Sequence, residues 1–193
     1  MAVKPNFTGH RKDMRMLEGY YQLWKLLNIY PRSIMELGID AGGSLLLWNE
    51  IFAPHTIVGL DINIKHEGLK RLEEFDNIHL YDFNQSEPYT LANILMDLDG
   101  MHTLGGVSIN IARFDLIIDD CSHDIDGAFA CLGILWERLN SGGAYVIEDW
   151  KAFNDEDAAT KLIMCLDMLD RSWMYVSSIV VTHNFIGLVK ASI

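Results

Sequence analysis

Five short apolar runs in this chain each close on carboxylates, and a helix-patterned segment separates each run from the next. The runs are "SIMEL" (33–37), "TIVGLDI" (56–62), "NIHLYD" (77–82), "FDLIID" (114–119) and "GAYVIED" (143–149). Between them lie "AGGSLLLWNEIF" (41–52), "HEGLKRLEEF" (66–75), residues 89–98 and "GAFACLGILWERL" (127–139), all with apolar side chains at helical spacing. Strands joined through helical crossovers pair in parallel, because the crossover carries the chain back to the starting edge. The alternation therefore predicts an α/β, doubly wound, mostly parallel sheet.

The tail "WMYVSSIVVTHNFIGLVKA" (173–191) breaks the pattern. It holds two strand-like runs with only a tight turn at 182–184 between them, so these two must be antiparallel. The expectation is about seven strands ending in an antiparallel hairpin. Residues 13–28 carry Met16, Tyr20, Leu23 and Leu27 at helical spacing, and "YPRS" ends that helix. A further helix is expected over 156–169 and an irregular loop over 100–113. The 193 residues suffice for one domain, taken as 1–193 with an N-terminal helical segment over 1–32.

In open parallel sheets, ligands sit beyond the carboxyl ends of the strands. The acids fall there: Glu36, Asp61, Asp82, Asp119 with Asp120, and Glu148 with Asp149. One acid at a strand end is usually a cap or turn former. Five strands in succession ending this way indicate a shared site.

The first strand-to-helix turn, "ELGIDAGGS" (36–44), is glycine-rich but unsuited to phosphate. A dinucleotide fingerprint laid from Gly38 needs a glycine where Asp40 stands, and a phosphate-binding loop needs a lysine that the turn lacks. A cationic, phosphate-free ligand fits better, and S-adenosylmethionine is such a ligand. Gly38, Gly42 and Ser44 would line it, with Glu36 near its positive end and Asp119 on the same side. Asp61 would accept the ribose hydroxyls, and Asp82 or its neighbours would lie near adenine.

The fourth and fifth strands should be neighbours, which brings Asp120 close to Glu148 and Asp149. Three converging carboxylates repel one another unless a cation lies between them. An all-oxygen set favours Mg²⁺ or a similar divalent ion over zinc. A cation at Asp120 would lie near the methyl donor and acidify an acceptor hydroxyl, giving Asp120 a catalytic role as well. His123, three residues on, is placed as the general base.

The quoted turn, "VGLDI", "FDLIIDDCSHD" (114–124) and "GGAYVIED" (142–149) resemble class I S-adenosylmethionine-dependent methyltransferases. They are most similar to the metal-dependent macrolide-sugar (mycinamicin-type) O-methyltransferases and their cephalosporin-hydroxylase-like relatives. The resemblance spans about 33–150. It implies magnesium on Asp120, Glu148 and Asp149, with His123 as catalytic base. The family often carries Gly-Asp-Gln after the third strand, where this chain has "YDFNQ".

The expected activity is methyl transfer from S-adenosylmethionine to a hydroxyl of a small molecule, a sugar or natural product. A non-catalytic cofactor-binding scaffold of the same fold is the alternative. An NAD-dependent dehydrogenase is a weaker one, opposed by Asp40. The formal net charge of −12 argues against nucleic-acid and anionic-membrane partners. Homo-oligomerisation is left open. Cys121, Cys131 and Cys165 have no metal-type spacing, and the first residues lack a signal-peptide pattern, so a cytoplasmic location is expected.

Overall fold

The structure, a computed structural model, describes residues 14–27, 30–65, 67–101, 112–150, 175–182 and 184–192. The expected helix over 156–169, most of the 100–113 loop and Cys165 lie outside the described residues.

Seven strands form one sheet: β1 (Ser33–Leu37), β2 (Thr56–Asp61), β3 (Ile78–Asp82), β4 (Phe114–Asp119), β5 (Leu139–Glu148), β6 (Val176–Val181) and β7 (Phe185–Lys190). Their order is β3-β2-β1-β4-β5-β7-β6. The first five are parallel, and β7 runs antiparallel to both β5 and β6. Both expectations, the parallel set and the closing hairpin, are met. β1 and β4 are adjacent, so the chain reverses its direction of winding between them, and a crevice opens above their carboxyl ends.

The helices α1 (Met14–Leu27) and α2 (Gly43–Phe52) cover one face, and α3 (Leu91–Met101) and α4 (Ile125–Leu135) cover the other. Side chains alternate across each strand. On β4 and β5, Ile117, Tyr145 and Ile147 enter the α3/α4 core, while Ile118, Ala144 and Val146 enter the α1/α2 core. A 14-residue helix is marginal alone in water. Buried Met16, Tyr20 and Leu23 hold α1 down, each contributing roughly 1.5–3 kcal/mol.

The segment over 66–75 differs from the expected α-helix: Glu67–Glu74 is a 3-10 helix. Its two buried residues, Leu69 and Leu72, are three apart, the spacing that aligns on a three-residue turn. β5 also begins earlier than expected, at Leu139, with Gly142 at φ 77° near a register shift against β4.

Candidate active site

A cavity of about 670 Å³ opens at the carboxyl ends of β1, β2, β4 and β5, within the ~300–1,000 Å³ range of small-molecule sites. Asp40, Asp61, Asp120, Glu148 and Asp149 all line it. No lysine or arginine does, among the described residues. That chemistry suits a cationic ligand and a metal ion and opposes a pyrophosphate.

The β1–α2 turn forms one wall through Gly38, Ile39, Asp40 and Ser44. Gly38 has φ 82°, and a Cβ there would lie 2.1 Å from the backbone oxygen of Asp120. Only glycine lets this turn approach the loop after β4 so closely. Asp61 anchors the same turn. Its Oδ2 accepts the Ile39 and Asp40 N–H groups at 3.0 Å each, and its Oδ1 accepts the Asn63 N–H at 2.9 Å. The acid expected to hold a ribose therefore also shapes the floor on which the cofactor would rest.

The loop after β4 and the end of β5 form the opposite wall. Ligand atoms of Asp120, His123 and Asp149 all lie within 4.8 Å of one another, a spacing that can hold one ion. His123 Nε2 stands 3.8 Å from Asp149 Oδ2. His123 and Asp149 both have positive φ, 54° and 48°, as does Asp40 at 44°. Non-glycine residues are held in this region at a cost of about 1–3 kcal/mol each, and such residues cluster at functional sites. Glu148, expected as the third ligand, is not in this converging group, where His123 stands instead; it lines the same cavity, and its Oε1 accepts a hydrogen bond from Tyr20 of α1.

Four residues expected at the cofactor are not among those that line this cavity. Glu36 is buried under α2, where Trp48 Nε1 donates to its Oε2 at 2.8 Å. Gly42 caps α2 at φ 74° and packs against the 3-10 helix; a Cβ there would meet Leu72 at 2.6 Å. Asp82 is exposed at the end of β3, and the next residues, Phe83, Asn84 and Gln85, line the cavity in its place. Asp119 points into the α3/α4 core beside Tyr145. Burial raises its pKa to about 6, against the lowering effect of hydrogen bonds from Gln85 and Tyr145. The adjacent acids thus divide: Asp119 serves the core and Asp120 the cavity.

No family model matches the chain. Among curated proteins, it is similar to 8-demethyl-8-alpha-L-rhamnosyl tetracenomycin-C 2'-O-methyltransferase of Streptomyces olivaceus, 29% identical over 145 residues, covering 67% of this chain and 34% of that protein. It is also similar to 8-demethyl-8-(2-methoxy-alpha-L-rhamnosyl)-tetracenomycin-C 3'-O-methyltransferase of the same organism, 32% identical over 131 residues, covering 64% and 29%. The chain spans about a third of the length of these curated relatives. Among solved structures, the MycE methyltransferase of the mycinamycin biosynthetic pathway, in complex with Mg and SAH, superposes with a TM-score of 0.72. The match covers 96% of this chain and 52% of that one, at 19% identity. The chain has the class I methyltransferase fold.

Within that fold, two polar links join residues far apart in sequence. Gln85 donates through Nε2 to Asp119 Oδ1 and Oδ2, at 2.8 and 3.1 Å. Its Oε1 accepts from the Ser122 N–H at 3.1 Å and the Ser122 hydroxyl at 2.7 Å. Gln85 therefore pins the residue that precedes His123. Gln85 lies in "YDFNQ", where the chain departs from the family's Gly-Asp-Gln, and its partners stand 34 and 37 residues away. The second link is that between Tyr20 and Glu148. Trp150, which follows the acid pair, donates to the Thr182 carbonyl at 3.2 Å and packs on the α3/α4 core. Burial pushes the Cys121 thiol pKa up, which keeps it protonated and a poor nucleophile.

Proposed function

We propose that this chain is an S-adenosylmethionine- and divalent-cation-dependent O-methyltransferase that acts on a sugar hydroxyl of a small natural product. The observation that carries the reading is the convergence of Asp120, His123 and Asp149 on the wall of a cavity whose charged lining is acidic. Two curated relatives are named for methylation of rhamnosyl hydroxyls, and the MycE structure holds Mg and SAH. Both support the substrate class and the cofactors.

S-adenosylmethionine supplies a methyl group on a sulfonium, and the cation supplies Lewis acidity toward a hydroxyl oxygen. Asp120 and Asp149 would hold the ion, joined by Glu148 from the same cavity wall, and the β1–α2 turn with Asp61 would hold the cofactor. Gly38 keeps these two walls in contact, so the donor and acceptor ends of the cavity are set by one backbone approach. His123 accepts the acceptor's hydroxyl proton at Nε2, its loop fixed by Gln85 and Ser122. Asp40 contributes negative charge where a phosphate-binding turn needs none, and this selects against a dinucleotide.

The reading treats the chain as one methyltransferase domain with a small-molecule substrate, acting in the cytoplasm. The net charge of −12 opposes nucleic-acid substrates, and no helix of the described residues is long and apolar enough to cross a membrane.

The test is methyl transfer to rhamnosylated polyketides, followed by mass spectrometry with Mg²⁺ and with EDTA. Methylation that needs Mg²⁺ and stops in the chelator supports the reading. Methylation undiminished in EDTA, with metal absent by elemental analysis, refutes the metal's role.

A further inference from the structure

Helix α1 reaches the wall of the candidate metal centre through a hydrogen bond from Tyr20. Tyr20 is 1% exposed, and its hydroxyl donates to Glu148 Oε1 across 128 positions of sequence. Glu148 is itself 1% exposed, yet it lines the cavity. It is thus a buried carboxylate on the wall of the site. A charge in that position needs a fixed donor.

The donor is held from several directions. The Tyr20 ring lies 5.3 Å from Trp24, 5.0 Å from Trp48 and 4.8 Å from Phe185. Phe185 is the register partner of Glu148 in the β5–β7 pair, so the ring that braces Tyr20 stands beside the acid that Tyr20 serves. Gly19 permits this approach: a Cβ there would lie 2.9 Å from the Phe185 ring. One turn earlier on the same helix face, Met16 lines the cavity. Glu36 and Trp48 make a similar buried carboxylate–aromatic pair nearby, but Glu36 does not line the cavity among the described residues. The Tyr20 pair thus joins the helix to a carboxylate of the cavity wall.

We propose that Tyr20 is a positioning residue that fixes the Glu148 carboxylate for cation binding, so that α1 is part of the metal centre and not only a cover for the sheet. This rests on the proposed function, in which Glu148 is a ligand. Partners that orient metal ligands typically change metal affinity by about 10–100-fold when removed.

The experiment titrates Mn²⁺ by electron paramagnetic resonance, in the presence of S-adenosylhomocysteine, into the wild type, Tyr20→Phe, Glu148→Gln and the double variant. Tyr20→Phe keeps the ring packing and removes only the donor. The expected result is a roughly 10–100-fold weaker Mn²⁺ affinity for Tyr20→Phe, with S-adenosylhomocysteine affinity unchanged. In the Glu148→Gln background the same change should have no further effect. Wild-type Mn²⁺ affinity in a folded Tyr20→Phe protein, while Glu148→Gln is weakened, would overturn the proposal and leave the functional reading standing. Absence of Mn²⁺ binding in the wild type would overturn both. If Tyr20→Phe does not fold, 3-fluorotyrosine placed at position 20 keeps the ring and alters the donor strength. A Mn²⁺ affinity that does not move with that replacement contradicts the proposal.

Discussion

Gln85 and Asp119 form a buried amide–carboxylate pair, closed at 2.8 and 3.1 Å, that ties the end of β3 to the end of β4. The same amide holds Ser122, so a single neutral side chain links the sheet to the loop that carries His123. Gln85→Leu should cost about 1–3 kcal/mol, because it leaves a buried carboxylate short of a donor. Gln85→Glu should cost more, since it sets a second carboxyl group against Asp119. Urea denaturation of the three proteins checks this, and equal midpoints would show that the pair has no energetic role.

Asp61→Ala removes the acceptor of two turn N–H groups as well as the expected ribose contact. S-adenosylhomocysteine affinity should fall by ~1.5–3 kcal/mol. Calorimetry that finds unchanged affinity would remove Asp61 from the cofactor site.

Gly38→Ala tests the contact between the two walls. The added Cβ would meet backbone, which cannot swing aside as a side-chain end can. The expected loss is at least ~1–3 kcal/mol of stability, together with weaker cofactor binding. Thermal unfolding and calorimetry on the same sample report both.

The alternation of strands and helices was legible because each strand announces itself locally, by an apolar run closing on an acid. The closing hairpin was legible for the same reason: 182–184 leaves too little chain for a crossover. The acids that line the cavity were harder to separate from those that do not. Glu36 and Asp119 sit at strand ends like the others, but their side chains turn into the two cores, where Trp48 and Tyr145 receive them. Nothing in the local sequence distinguishes these two outcomes, because side-chain direction near a strand end depends on what packs against it. Tyr20 falls at helical spacing within 13–28, and Gln85 lies in "YDFNQ" after the third strand. Their functional partners are set by the tertiary fold, which local spacing does not encode.

His123 combines a strained backbone with a proposed proton-transfer role. A left-handed conformation costs a non-glycine residue roughly 1–2 kcal/mol, so His123→Gly should be at least as stable as the wild type, while His123→Ala should not gain. Both should lose ~10²–10⁴ in methyl-transfer rate. Melting temperature and kcat measured together separate the two effects. A folded His123→Gly protein that turns over at the wild-type rate would exclude the base assignment.

In the proposed function, one cavity holds S-adenosylmethionine on the Asp61 side and a divalent cation on the Asp120 side. Nuclear magnetic relaxation of S-adenosylhomocysteine protons by bound Mn²⁺ tests it most directly. The expected result is strong relaxation of the protons beside the sulfur, weaker relaxation of the adenine protons, and loss of both effects in Asp120→Asn. Relaxation that is uniform along the ligand, or that persists unchanged in Asp120→Asn, would contradict it.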